Sequence, residues 1–314
     1  MASKKNPKKV GGQAVLGGVM MCSTQAMSVA VRLENGDICV QTSSWKSILG
    51  NFSLRKLAFF RGMIVFLETV YNGMCALKTS VLKETKSQQL SEKTFYGSFL
   101  CALVLVLAAF VFLPHFITGA LIKDSTGVSF QILDGFIKLF LYTLYLVFIS
   151  RMDDVKSLFQ YHGAEHKVIH AYEAGETLFV ENVQSYSRIH PRCGTSFIVL
   201  LLLVSLLFFM IFLPMGAHLL NLSTSGLGLI CLKILFLLPI AGVSYELIQF
   251  SEKHNSFFLR LISKPGLSFQ KLTTREPSVQ HIEVAIAALQ NLLCSTSSRT
   301  IESSLLKNKL AQVI

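Results

Sequence analysis

The sequence predicts an all-α polytopic membrane protein with about four transmembrane helices and a small α+β cytoplasmic part. Composition is the first observation, because 52% of the 314 residues are hydrophobic and only 15% are charged, whereas soluble proteins carry about 25% charged residues. The second is a set of long charge-free stretches, and the third is a one-sided distribution of lysine and arginine. These features exclude a soluble globule, a disordered chain and a collagen. Seven scattered cysteines without a CxxC pair exclude a disulfide framework.

Four apolar stretches are interpreted as spans, since a spanning helix needs about 20 mostly apolar residues. The longest charge-free stretch exceeds one helix, and we expect Pro214, Gly216, Asn221 and Gly226 to divide it into two. In chain order the predicted spans are Phe95–Thr118, Gln131–Ser150, Thr195–Ala217 and Leu227–Phe250.

The distribution of basic residues predicts the orientation of these spans. Four spans place both termini on one side. On the opposite side, the loop 119–129 holds only Lys123 and the loop 218–226 holds no basic residue, while Lys138 and Lys233 lie inside spans. The remaining 26 of the 29 lysines and arginines lie on the side of the termini, which is therefore predicted to be cytoplasmic. This asymmetry explains the net charge of +11 without a nucleic-acid partner. The chain also lacks the alternating aromatic and basic residues that are typical of proteins binding single-stranded nucleic acid.

Residues 1–50 are predicted to be a cytoplasmic β-hairpin segment. The alternating stretches Ala26–Leu33 and Ile38–Thr42 flank Asn35-Gly36, a pair typical of a type I′ turn. Upstream, two glycine pairs at 11–12 and 17–18 indicate a turn or a close approach of the backbone to another element.

The other segments follow from hydropathy and charge. Residues 51–94 are predicted to form a helix that either lies in the membrane interface or packs on the soluble part. Residues 95–250 form the four-span domain, which includes the cytoplasmic loop 151–194. Residues 251–314 form a cytoplasmic C-terminal helical segment, in which Pro277–Leu293 has the pattern of an amphipathic helix.

Polar chemistry is concentrated in the loop between the second and third spans. This loop holds four of the chain's eight histidines: His162, His166, His170 and His190. With Glu165, the first two form the pattern H-x-x-E-H, and on a helix their imidazoles lie one turn apart on one face. Such a pair can bind one zinc ion, beside which a carboxylate can act as general base. The motif predicts a divalent-metal site, with Zn²⁺ as the expected ion and Glu165 as the catalytic base or a further ligand.

A catalytic zinc ion takes about three protein ligands, so a third ligand is expected. Because His170 is rotated by about 80° from His162 on a helix, one ion cannot easily take both with His166. We expect the third ligand to arrive from another segment, as His190 or Cys193. A Cys193 thiolate would favour Zn²⁺ over Mg²⁺ or Mn²⁺. The alternative third ligands are His170, Glu173 and Glu246.

Several ionisable residues have two interpretations. Arg192 either binds an anion or anchors the chain at the membrane boundary. Glu246 is either a partner of the metal site or an isolated charge at the cytoplasmic end of the fourth span. Asp134 and Lys138 are four residues apart and are expected to pair near the start of a helix.

Five blocks of the sequence are distinctive. They are Gly11–Val15, Val19–Met21, Tyr161–Lys167, His190–Phe197 and Leu272–Pro277. Together they resemble the bacterial YqhQ-like family, domain of unknown function 1385, and the resemblance extends from about Gly11 to Leu289. It implies a metal-dependent protein of the bacterial plasma membrane. By this resemblance the characteristic positions are Gln13, His162, Glu165, His166, Lys167, His190, Arg192, Cys193, Arg275 and Glu276.

Two functions follow from different classes. The first is a metal-dependent hydrolase at the cytoplasmic face of the membrane. The second is a non-catalytic membrane scaffold or transporter accessory protein, in which the His, Glu and Cys residues are structural. The lipid bilayer is an expected partner in both cases, together with a second copy of the chain or another membrane protein.

Overall fold

The chain is described here by a computed structural model. The structure describes residues 9–47, 56–84, 91–220, 226–254 and 257–311. The predicted helix break at Asn221 and the predicted boundary between the first two segments, at residues 50 and 51, lie outside these ranges.

The N-terminal segment forms a four-stranded antiparallel sheet with the strand order β1-β2-β3-β4. The strands are β1 Gly11–Val15, β2 Gly18–Cys22, β3 Ala26–Arg32 and β4 Ile38–Ser44.

Helices follow the sheet, and a short π-helical stretch at Ala108–Phe112 joins the second to the third. The helices are α1 Ala58–Glu84, α2 Glu92–Leu107, α3 Leu113–Leu121, α4 Val128–Ile149, α5 Asp153–Ala174, α6 Val180–Gln184, α7 Gly194–Leu220, α8 Gly226–Lys253, α9 Phe257–Thr273 and α10 Val279–Ala311.

The predicted β3–β4 hairpin is confirmed, but the predicted type I′ turn is wrong. The Leu33 N–H donates to Asp37 O at 2.8 Å, and the Gly36 N–H donates to Leu33 O at 2.9 Å. The loop therefore has three residues, with Gly36 at a φ of +91°. A glycine at this position closes a three-residue hairpin loop, so the two-residue turn is not needed.

The hairpin of β1 and β2 was not predicted. Both strands have only five residues and begin with glycine, which weakens any strand pattern. The turn and the close approach that were predicted at the glycine pairs are present at Gly17 and Gly18. Gly17 turns with a φ of +64°, and a Cβ at Gly18 would lie 1.9 Å from Ala30 O of the neighbouring strand.

The sheet lies between two helical layers. Met27, Val29 and Val31 of β3 pack in a core that includes Ala76 of α1. The alternate residues of β3 belong to a second core, formed with α5 and α10. This two-residue alternation is that of a strand buried on both faces, and it fixes α5 against the sheet.

Four helical stretches are long and apolar enough to cross a membrane, as predicted. Helix α7 continues through Pro214 and Gly216 to Leu220, so these two residues do not break it. A proline removes a single helical hydrogen bond, which a long apolar helix tolerates. The four candidate spans are Glu92–Leu121, Val128–Ile149, Gly194–Gly216 and Leu227–Ser251.

Helix α1 packs on both parts of the molecule and is not one of the candidate spans. Near its start, Gly62 approaches α8 so closely that a Cβ would lie 2.5 Å from Gly242 O. The guanidinium of Arg61 donates to both carboxylate oxygens of Glu246, at 3.1 and 2.6 Å. The later turns of α1 cover the sheet. Residues 51–94 therefore contain a helix that links the sheet to the candidate spans.

A group of buried charges joins α4 to α8 and is called the ion cluster below; it consists of Asp134, Lys138 and Lys233. Both ammonium groups donate to Asp134 Oδ2, from Lys138 at 2.7 Å and from Lys233 at 2.8 Å. The predicted Asp134–Lys138 pair is thus present, but it has an additional partner from another helix. Within the described residues, three of the four buried side-chain atoms without a hydrogen bond lie in or near this cluster: Asp134 Oδ1, Gln131 Oε1 and His115 Nδ1.

Candidate metal centre

Helix α5 carries the H-x-x-E-H motif and is fixed at both ends. Asp153 and Asp154 lie in its first turn, where acidic side chains favour a helix N-terminus. Gly175 ends the helix in the left-handed conformation, at a φ of +78°. In the middle, a Cβ on Gly163 would lie 2.2 Å from Arg275 O. Glycine is therefore needed where the segment after α9 crosses α5.

The structure brings His162, His166 and Cys193 together, and these three residues are called the His–Cys set below. One potential ligand atom from each lies within 4.8 Å of the others. His162 Nε2 is 3.1 Å from Cys193 Sγ, and His166 is also within hydrogen-bonding reach of that thiol. Cys193 directly precedes α7, so the third residue does arrive from another segment, as the helix geometry requires.

Backbone carbonyl groups orient both imidazoles. His162 Nδ1 is 2.8 Å from Thr273 O, and His166 Nδ1 is 2.6 Å from Arg188 O. A carbonyl oxygen can only accept a hydrogen bond, so each Nδ1 carries a proton, and in the neutral ring each Nε2 then keeps its lone pair. The unprotonated nitrogens of His162 and His166 therefore lie on the face of α5 that meets the Cys193 thiol.

The donor chemistry of the set fits zinc. Imidazole nitrogen and cysteine sulfur are both usual ligands of Zn²⁺, and histidine ligands usually donate their other N–H to a carbonyl or carboxylate. The distance of 3.1 Å between His162 Nε2 and Cys193 Sγ is close to the separation of about 3.5 Å between two ligand atoms of one tetrahedral zinc ion. The thiol also accepts a hydrogen bond from the Thr195 N–H at 3.3 Å.

Glu165 is buried on the side of α5 that faces the sheet. A Cβ on Gly12 of β1 would lie 2.7 Å from its Cγ, so the glycine makes room for this carboxyl group. No hydrogen bond or ion pair of the Glu165 carboxyl occurs among the described residues. Burial raises its pKa to about 7, an effect opposed by the nearby His162 and His190. The same burial lowers the pKa of His166.

His190 lies beside the His–Cys set but is held by other groups. Its ring centroid is 5.6 Å from that of His166 and 4.5 Å from that of His170. Its Nδ1 accepts from the Arg192 N–H at 3.2 Å, and its Nε2 is 3.5 Å from a Glu173 oxygen. The structure thus places Cys193, and not His190, at ligand distance from the two histidines of the motif.

His170 and Glu173 also lie outside the set, in a neighbouring network. His170 Nε2 donates to Ile189 O at 2.9 Å, and burial lowers its pKa. Glu173 contacts the guanidinium of Arg192. The anion that Arg192 binds in this structure is therefore the Glu173 carboxylate of the same chain.

The remaining predicted residues are dispersed around the centre. Lys167 pairs with Glu276 and donates to Gln184 O at 2.8 Å. Arg275 donates from its side chain to Ser150 O at 2.7 Å. These contacts hold the segment after α9 against α5 and the end of α4, and they hold α6 against α5.

Gln13 and Glu246 contact other helices. The side chain of Gln13 approaches Gly73 of α1, where a Cβ would lie 2.4 Å from its Oε1, so it points to the opposite face of the sheet from Gly12. Glu246 is held by Arg61, as described above. Neither residue belongs to the His–Cys set.

Three residues that matter to the site were not singled out from the sequence. Thr273 and Arg188 contribute backbone carbonyls, which any residue type could supply, so the sequence contains no signal for them. Gln270 is fully buried; its side chain accepts from the His190 N–H at 2.9 Å and donates to His190 O at 2.7 Å. A glutamine in an amphipathic helix gives little indication of such a role.

Comparisons with known proteins place the chain in a family without an established reaction. A family model described as "Protein of unknown function (DUF1385)" matches residues 57–295. The "Uncharacterized protein YqhQ" of Bacillus subtilis (strain 168) is 31% identical over 311 residues, covering 93% of this chain and 95% of the relative. No solved structure matches the chain at a significant level. The match to the model and the near-complete overlap with this relative show that the chain belongs to the DUF1385 family.

Proposed function

We propose that this protein is a metal-dependent hydrolase of the bacterial plasma membrane, with one divalent metal ion, Zn²⁺, held by His162, His166 and Cys193. The observation that carries the proposal is the fixed tautomer of both histidines. Thr273 O and Arg188 O accept hydrogen bonds from the two Nδ1–H groups. This leaves two Nε2 lone pairs beside one thiol. When bound, zinc supplies Lewis-acid chemistry, which lowers the pKa of water and polarises a carbonyl or phosphoryl oxygen.

Glu165 is proposed as the general base. A pKa of about 7 lets a carboxyl group accept and release a proton near neutral pH, which is the requirement for efficient acid–base catalysis. Its burial between α5 and β1 keeps bulk water away from the carboxyl group. The coupling of its charge to His162 and His190 supports a position near the His–Cys set.

The membrane orientation is part of the proposal. The four candidate spans and the one-sided distribution of basic residues support cytoplasmic termini and a cytoplasmic metal centre. Reporters that are active only in the cytoplasm should score inside after Glu176, which is exposed beyond the end of α5, and outside at Ser125. A further outside position is Ser223, and a further inside position is Ile314; both lie beyond the described residues. An inside result at both Ser125 and Ser223 would contradict four spans.

A non-catalytic scaffold is the alternative, and one observation favours it. Segments distant in sequence are already tied together by protein contacts alone, including Lys167 with Glu276, Arg275 with Ser150, and Gln270 with His190. In a scaffold the His–Cys set would add one more such tie, with the Cys193 thiol donating to a histidine.

Metal analysis of the purified full-length protein separates the two functions. We expect about one zinc ion per chain in the wild type and almost none in a His162→Ala/His166→Ala double variant. His170→Gln is the matched control, because His170 lies on the same helix but outside the His–Cys set, and it should retain the metal. Equal metal content in the wild type and the double variant would overturn the hydrolase proposal.

A further inference from the structure

A cavity of about 530 Å³ opens beside the metal centre, between the end of α4, α5 and the segment that follows α9. It is separate from the His–Cys set, none of whose residues lines it. Its lining includes Ser150, Lys156, Arg188, Lys271, Arg275 and Glu276.

The lining of the cavity carries an excess of positive charge, although Lys156 also pairs with Asp153 of α5. Four of its lining residues are basic and one, Glu276, is acidic. The Glu276 carboxylate is itself engaged by Lys167 and lies 3.8 Å from the Arg188 guanidinium. Lys271 is exposed at the mouth. A concave site with this excess of positive charge favours an anionic group, and Arg and Lys together are typical ligands of phosphate.

The position of the cavity indicates which phosphate compounds can reach it. Ser150 is the C-cap of α4, the second candidate span, so the cavity begins where that span ends. In the proposed orientation this is the cytoplasmic boundary of the bilayer. Basic pockets at that level meet the headgroups of anionic lipids as well as soluble anions.

The cavity shares residues with the metal centre. The side chain of Arg188 lines the cavity, while its backbone carbonyl accepts from His166 Nδ1 at 2.6 Å. Arg188 also donates to Thr274, which lines the cavity next to Thr273, the acceptor for His162 Nδ1. An occupant would therefore lie beside Arg188, which supplies one of the two carbonyls that orient the histidines, and beside Thr274, the neighbour of the residue that supplies the other.

We propose that this cavity binds the phosphate group of the substrate and that the substrate is a phosphate-bearing compound, either an anionic lipid headgroup or a soluble phosphate. That the bound compound is a substrate rests on the proposed function. Binding of its phosphate group depends on the basic residues and not on the metal. The two can therefore be tested separately.

The test uses the full-length protein, treated with a chelator, in two arms. In the first, nanodiscs of phosphatidylcholine with a minor fraction of phosphatidylglycerol are used, and retained anionic lipid is counted by native mass spectrometry. In the second, nanodiscs of phosphatidylcholine alone are used, and inorganic phosphate is titrated against thermal stability. The pocket variant is Lys156→Gln/Lys271→Gln. The control is Lys83→Gln/Lys264→Gln, which removes the same charge at two exposed lysines outside the cavity.

We expect the pocket variant to weaken anion binding by about fivefold for each lysine removed, and the control to bind as the wild type does. A loss confined to the phosphatidylglycerol arm identifies a lipid headgroup, and a loss confined to the phosphate arm identifies a soluble compound; either supports the proposal. Equal binding by the pocket variant and the control in both arms overturns it. The His162→Ala/His166→Ala variant should bind as the wild type does, so a failure of the metal proposal remains distinguishable.

Discussion

The His–Cys set and the ion cluster are two buried polar groups in one apolar chain, and they are stabilised in different ways. In the ion cluster, two ammonium groups share one carboxylate oxygen and join α4 to α8. In the His–Cys set, both imidazoles donate outward from Nδ1 to backbone carbonyls and leave their Nε2 atoms for the thiol or for a ligand. The first arrangement pairs opposite charges, with one positive charge in excess, and holds helices together. The second leaves lone pairs unused and is suited to a ligand.

Removing the shared carboxylate should have the largest effect on stability. Asp134→Ala leaves Lys138 and Lys233 buried without a counter-charge, and breaking a buried ion pair from one side costs about 3–5 kcal/mol. Denaturant unfolding in detergent measures this loss. Lys138→Met is the control, because it keeps the contact between Asp134 and Lys233 and should cost less. A loss for Asp134→Ala no larger than for Lys138→Met would mean that the ion cluster does not stabilise the bundle.

The buried carboxyl of Glu165 should make the metal-free protein less stable as the pH rises. Its folded pKa of about 7 lies above the ordinary value of 4.5, so the folded state binds more protons than the unfolded state between these values. The free energy of unfolding therefore falls over this range, by about 3 kcal/mol in total. Because histidines titrate in the same range, the quantity to measure is the difference between wild type and Glu165→Gln. A difference that does not change with pH would show that the carboxyl ionises at its ordinary pKa.

A smaller effect is expected where β1 meets α5. Gly12→Ala places a Cβ 2.7 Å from Glu165 Cγ, and such overpacking costs about 1–3 kcal/mol. Gly11→Ala is the matched control on the same strand, since its Cβ would lie 3.5 Å from Cys22 Sγ, an ordinary contact. Thermal unfolding compares the two. In a Glu165→Ala background the cost of Gly12→Ala should largely vanish; an unchanged cost would place the strain elsewhere.

Elements defined by long local patterns could be predicted from the sequence. The four candidate spans agree with prediction to within a few residues, because continuous apolar stretches encode length and position directly. For the third residue beside the histidine pair, helix geometry indicated only a partner from another segment, His190 or Cys193, and it is Cys193 that lies there. In contrast, β1 and β2 are too short and too rich in glycine to give a strand pattern.

Contacts between distant segments could not be predicted. Lys233 reaches Asp134 across 99 residues, and Arg61 reaches Glu246 across 185; sequence shows only that each charge needs a partner. The carbonyls of Thr273 and Arg188 orient the histidines through backbone atoms that every residue possesses. The part of the site that decides its chemistry is therefore set by tertiary packing.

The most direct test of the account is the absorption spectrum of the protein loaded with Co²⁺ in place of Zn²⁺. Coordination by two imidazoles and a thiolate predicts intense visible bands of a four-coordinate ion together with thiolate-to-cobalt charge transfer in the near ultraviolet. Cys193→Ser should lose the charge-transfer band, His162→Ala/His166→Ala should lose the whole spectrum, and His170→Gln should keep it. A spectrum that is the same in the wild type and in the Cys193→Ser and His162→Ala/His166→Ala variants would contradict a metal centre at the His–Cys set.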